Sequence, residues 1–168
     1  MSIELAKEVT QSLREGTKEL KPGPYETPWT FAVKSSLIKL GKMKGYRVCA
    51  SGFPDVAEGE WLYDVVWFLE NEQELLAQIP LVCESEWGNS LNHVKIDFEK
   101  LLLANSELKI MVCQTGKESV ESLIDYFVRA IQTFERPFYP EIYAIAIFNN
   151  DKFTFEFTYL DREGVELF

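Results

Sequence analysis

Two apolar spacings alternate along this chain, and their order predicts the order of its elements. Residues 2–20 carry Ile3, Leu5, Ala6, Val9 and Leu13 mostly at helical spacing. The segment "KPGPYETP" (21–28), with three prolines and a glycine, then breaks the pattern. A second helix is predicted from Trp29 to Lys44, with Phe31, Val33, Leu37, Ile38 and Leu40 as its apolar residues and Gly41 and Gly45 marking its end. Strands follow at 46–53, 61–69 and 79–87. Gly88, Asn89 and Ser90 end the third strand and can cap a helix from Leu91 to Asn105. The run 108–113 is apolar at nearly every position, as a strand covered on both faces requires. A helix over 118–135 places Val120, Leu123, Ile124, Phe127 and Ile131 on one face, and 141–148 with 152–160 reads as a closing hairpin. The order α, α, β, β, β, α, β, α, β, β predicts an α/β layered domain on a mixed sheet.

The 168 residues fit a single domain spanning 1–168, with an N-terminal helix and linker over 1–27 and the core over 28–168. At 46% hydrophobic and 14% aromatic, the composition supplies a substantial core. The N-terminus is polar and amphipathic, and no apolar run approaches the ~18 residues of a membrane span, so a soluble chain without a leader is expected. Cys49, Cys83 and Cys113 each lie in an apolar strand-like run with no metal-ligand spacing; they read as reduced core residues of a cytoplasmic protein. With His93 as the single histidine, zinc sites built on imidazole and Ser-His-Asp triads have little to work with. A first helix set apart by a Pro-Gly linker suits packing on a second copy, and a homodimer is expected. Trp61, Trp67 and Trp87 read as core residues.

Charge changes the picture locally. The net charge of −10 argues against a polyanionic partner, but residues 1–50 hold nine Lys/Arg against five Asp/Glu, and 51–168 hold eight against twenty-two. Between Thr27 and Pro54 there is no acid, while Lys34, Lys39, Lys42, Lys44 and Arg47 are present. This basic segment is either a solvated helix face or a strip that contacts the phosphates of DNA.

The candidate chemistry lies in "PLVCESEWGN" (80–89), where Glu84 and Glu86 interrupt an apolar strand. Side chains alternate along a strand, so the two glutamates share a face. Asp64, in "LYDVVWF", is likewise an acid among apolar residues. Asp64 and Glu84 are equidistant from Glu74, the midpoint of the connector "ENEQELLAQ". A simple hairpin about that midpoint sets them opposite each other, with Cβ atoms ~5 Å apart, and a slip of one residue removes the arrangement. Three carboxylates so close repel, which either raises a pKa or calls for a cation. A hard divalent ion with oxygen ligands, Mg²⁺ or Mn²⁺, suits Asp64, Glu84 and Glu86, and it can activate water against a phosphate.

An Asp, about twenty residues, an apolar strand ending in Glu-x-(Lys or Glu) and a following helix resemble the PD-(D/E)XK nuclease superfamily, the restriction-endonuclease-like fold. The resemblance covers residues 29–113 and implies an αβββαβ core, extended here by the N-terminal helix and the C-terminal hairpin. It implies that Asp64 and Glu84 are the motif acids and that the chain hydrolyses DNA phosphodiesters with Mg²⁺, or is an inactive member of that fold working as a regulatory subunit. Glu86 falls where the motif lysine is usual. In some members the basic residue has moved to the following helix. On a wheel centred on Phe98, Lys95 lies about 60° from the apolar stripe and Lys100 about 160°. Lys95 is therefore placed to reach across the sheet edge toward the site and Lys100 to meet solvent or phosphate; surface solvation of both is the plainer alternative. Gln114, at the end of the fourth strand, is either a further site residue or a turn residue.

Overall fold

The computed structural model describes residues 3–20, 27–56, 59–88, 90–135 and 140–167, the side chain of Thr27 excepted. Its elements follow the expected order: α1 (Ile3–Thr17), α2 (Thr27–Met43), β1 (Arg47–Ala50), β2 (Val65–Glu70), β3 (Leu76–Glu86), α3 (Leu91–Leu103), β4 (Leu108–Gln114), α4 (Val120–Thr133), β5 (Ile142–Asn149) and β6 (Thr154–Asp161). The strands form one six-stranded mixed sheet in the order β1-β2-β3-β4-β5-β6. The β3–β4 and β4–β5 pairs are parallel, and the other three pairs are antiparallel.

Strand alternation divides the core into two layers. Val65, Trp67, Leu81, Cys83, Ile110 and Val112 pack toward α1 and α2. Val66, Phe68, Val82, Met111, Cys113 and Ile145 pack toward α3 and α4. All three cysteines are outside any disulfide and buried within these layers. Trp67 and Trp87 are buried as expected, but Trp61 is 43% exposed and lies against Phe68, ring centroids 4.8 Å apart. No helix among the described residues is long and apolar enough to cross a membrane.

The first helix is not an appendage. Ala6, Val9 and Leu13 of α1 are buried in the same layer as α2, and Thr10 meets the Tyr159 hydroxyl of β6 at 2.6 Å. The apolar face of α1 on which a dimer was expected is therefore covered within the chain. The linker residues 21–26 lie outside the described residues.

Gly41 does not end α2, which runs on to Met43. The end is made at Gly45, whose φ of +81° is open to glycine at little cost. Gly45 N–H donates to Lys42 O and Tyr46 N–H to Gly41 O, so the last carbonyls are satisfied by a Schellman motif. Gly41 serves packing instead. A Cβ there would lie 2.6 Å from Trp67 Nε1 and 2.8 Å from Cε2, while that indole N–H donates to Leu37 O at 3.1 Å. The glycine lets α2 approach the sheet. Gly41→Ala is therefore expected to cost about 1–3 kcal/mol through overpacking, outweighing the ~1 kcal/mol that alanine gains in helix propensity. Urea denaturation measures it; an alanine variant as stable as the native chain would contradict this packing.

Candidate functional site

β1, β3, β4 and β5 run in one direction and finish at the same end of the sheet, where β2 begins. Ligands of open α/β sheets bind outside such carboxyl ends. The acids of the candidate site lie there.

The hairpin register is the expected one at this end. Val65 pairs with Cys83, Val66 with Val82 and Trp67 with Leu81, all about Glu74. Nearer the tip the pairing shifts, to Leu69 with Gln78 and Glu70 with Leu76. Residues 61–64, expected as strand, precede β2 instead. This changes where Asp64 points. No longer bound by strand alternation, it does not share the face of Glu84 but turns in along the end of the ladder. Its Oδ2 accepts from both Ser85 N–H and Ser85 Oγ–H, each at 2.8 Å. The carboxylate thus partners a β3 amide where β2 has stopped. Its Oδ1 lies 3.1 Å from Lys34 Nζ.

Lys34 comes from α2 and is only 6% exposed. It also donates to Ser51 Oγ at 3.0 Å and to Glu60 Oε2 at 2.9 Å. Burial works against its charge, but contact with Glu60 and Asp64 outweighs that and raises its pKa. Glu60 shifts the other way. Burial opposes the shift, while hydrogen bonds from Ser51 and Lys34 hold its carboxyl below the usual range.

Glu84 points to the opposite layer and is 3% exposed. Lys100 Nζ of α3 lies 2.6 Å from its Oε1 and 3.0 Å from Asp97 Oδ1. Burial pushes the Glu84 carboxyl up to about 8; Lys100 pulls it down, and Asp64 and Asp97 add to the rise. The Lys100 ammonium is disfavoured by burial, but Glu84 and Asp97 more than compensate and raise its pKa.

The expected roles of Lys95 and Lys100 are thereby exchanged. Lys95 sits over the Tyr126 ring, 5.2 Å from its centroid, in the groove between α3 and α4. On the wheel it lies about 60° to one side of Phe98, while Asp97 and Lys100 lie about 100° and 160° to the other. The first flank faces α4 and the second faces the carboxylates. The direction of each angle carried this information, and its size did not. Lys100 then lays its stem along the helix and delivers only its ammonium. Asp97, Ser51, Ser85 and Glu60 were not singled out in the sequence. Of these, only the Asp97–Lys100 spacing of three, which puts both on one flank, was a signal available there.

Glu86 shares the Glu84 face but leaves the cluster. Its Oε1 accepts from Gly88 N–H at 2.5 Å and its Oε2 lies 3.9 Å from His93 Nδ1. Among the described residues, no group of three or more His, Cys, Asp or Glu is arranged to hold a metal ion. Ser90 is the N-cap of α3 without a side-chain cap bond, and Asn89 lies outside the described residues. Gln114 is a tie between loops, donating to Trp87 O and accepting from Asn150.

The basic segment does not form one strip. Lys34 is turned inward. Lys39 is exposed on α2, Lys42 donates to Asp55 O at 2.8 Å, and Lys44 pairs with Glu8 at 2.5 Å. Arg47 lies over the Phe68 ring, 5.0 Å from its centroid, on the α3 side of the sheet, and pairs with Glu70. The sheet itself separates Arg47 from the lysines of α2.

Comparisons of the chain with protein-family models, curated proteins and solved structures find no match. The chemistry must be read from the site. Two carboxylates at adjacent strand ends each face an ammonium from a different helix.

The raised pKa of Glu84 has a consequence for stability. Folding favours its protonated form, so its contribution is fully present below pH 4.5 and is lost as pH rises through about 8. Replacing Glu84 by Gln is expected to remove that loss. Urea midpoints across this window should fall more steeply for the native chain than for Glu84→Gln; parallel curves would contradict the assignment.

Proposed function

We propose that the chain is a restriction-endonuclease-like protein and that the site around Asp64 and Glu84 hydrolyses DNA phosphodiester bonds with Mg²⁺ or Mn²⁺. One observation carries this reading: Asp64, just before β2, and Glu84, on β3, lie at the same end of the sheet, with the Lys100 ammonium 2.6 Å from Glu84. The order α2-β1-β2-β3-α3-β4, with β2 antiparallel to both its neighbours and β3 parallel to β4, supports it.

The donor set fits the ion. Mg²⁺ is commonly held by one or two carboxylates together with substrate phosphate and water, so two acids suffice without Glu86. Oε1 of Glu84 is sealed from solvent and lies 2.6 Å from the Lys100 ammonium, so an ion held there would take over that contact. Asp64 and Glu84 would hold the ion, which when bound supplies an activated water and offsets charge on the phosphate. Lys100, steadied by Asp97, presents a positive charge at the same place and takes the part of the lysine that is missing at Glu86. Glu86 fixes the turn into α3 through Gly88. Lys39 and Lys42, on the surface of α2, are the residues of the basic segment suited to the DNA backbone.

A second reading, a nuclease-fold regulatory subunit without catalysis, is favoured by the diversion of Glu86 to Gly88 and by the net charge of −10. Calorimetry separates the two. Mn²⁺ is expected to bind the native chain and to bind Asp64→Asn at least about tenfold more weakly, with proton release near pH 7 because Glu84 must ionise. DNA cleavage is expected to disappear in Glu84→Ala. Metal binding without cleavage would select the second reading, and no metal binding even with DNA present would remove the first.

A further inference from the structure

We propose that Lys34 is a positioning residue for Asp64, a buried ammonium that presents one oxygen of that carboxylate to a cation. The inference rests on reading Asp64 and Glu84 as the metal-holding pair. An ammonium has three N–H donors, and Lys34 has three acceptors around it: Ser51 Oγ at 3.0 Å, Glu60 Oε2 at 2.9 Å and Asp64 Oδ1 at 3.1 Å. Ser51 Oγ–H in turn donates to Glu60 Oε2 at 2.7 Å, which closes the arrangement. Lysine is rarely buried without such partners, and this one is carried on a helix rather than on a loop.

The effect on Asp64 follows from its lone pairs. Each carboxylate oxygen has two. On Oδ2 both are taken by Ser85, through N–H and Oγ–H. On Oδ1, among the described residues, only the Lys34 contact is present, which leaves one lone pair for a cation. Rotating the carboxylate would break contacts on both oxygens at once. The open lone pair is therefore fixed in direction before any ligand arrives.

A positive charge beside a metal ligand would ordinarily repel the metal. Glu60 removes that objection. Lys34 and Glu60 together are neutral, which leaves the negative charge of Asp64 available to a cation. The lysine contributes direction, and the glutamate cancels its charge.

The test is Mn²⁺ binding by calorimetry, with the Mn²⁺-induced rise in melting temperature as a second readout. Lys34→Gln is expected to weaken Mn²⁺ binding about 10–100-fold, the range typical of residues that orient metal ligands. The metal-induced rise should shrink with it, and Lys34→Arg should restore part of both. A merely structural lysine would lower the melting temperature of the metal-free protein and leave the metal-induced increment unchanged. Native affinity in Lys34→Gln overturns the inference while leaving the site reading intact. Native affinity in Asp64→Asn overturns the site reading, and the inference with it. Should Lys34→Gln fail to fold, the single variant Ser51→Ala keeps the ammonium and its countercharge but loosens its hold. Weakened Mn²⁺ binding there supports the inference, and native binding overturns it.

Discussion

The pairing of Val65 with Cys83, the last rung of the β2–β3 ladder, places the two central acids of the site. It leaves Asp64 one residue before that rung and Glu84 one residue beyond it. Everything else at this end of the sheet is arranged around the two acids that the pairing brings together. Ser85, between the two glutamates of β3, turns toward Asp64 with both its amide and its hydroxyl. The two helices that follow and precede these strands each bring one lysine to the same end.

Those lysines show how the fold tolerates acids so close to its core. Burying a carboxylate without a partner is costly, and burying two side by side is more so. Here the partners come from opposite layers: Lys34 from α2 on one face, Lys100 from α3 on the other. Each is itself steadied by a further acid, Glu60 or Asp97. The site is thus two acid–lysine–acid clusters at the sheet end, one in each helical layer, with Asp64 and Glu84 as the adjacent acids. That separates it from an ordinary surface ion pair, which contributes little.

Much of this was legible in the sequence. The α/β order, the mixed sheet and the Val65–Cys83 register all follow from apolar periodicity and the symmetry of the hairpin about Glu74. What was not legible has identifiable causes. Asp64 was read as a strand residue, yet β2 begins one position later, and that single residue decides which face its side chain reaches. Lys100 was set aside on an angle whose sign was ignored, although α3 has two dissimilar flanks, one against α4 and one against the acids. Glu86 was grouped with Glu84 by alternation, which is correct for the strand, but Gly88 offered its carboxylate a backbone N–H within two residues. The Pro-Gly segment suggests a detachable α1, while the buried face of that helix belongs to the same layer as α2.

The irregular pairing in the outer half of the hairpin has a consequence of its own. Between Trp67 and Glu70 the register changes twice, whereas from Trp67 back to Val65 it does not. Length differences in the exposed tip are taken up before they reach the rung beside Asp64. The tip at 71–75 is therefore set apart from the acids. It is the segment of this sheet that can be lengthened, shortened or replaced by a foreign peptide without moving the carboxylates relative to one another.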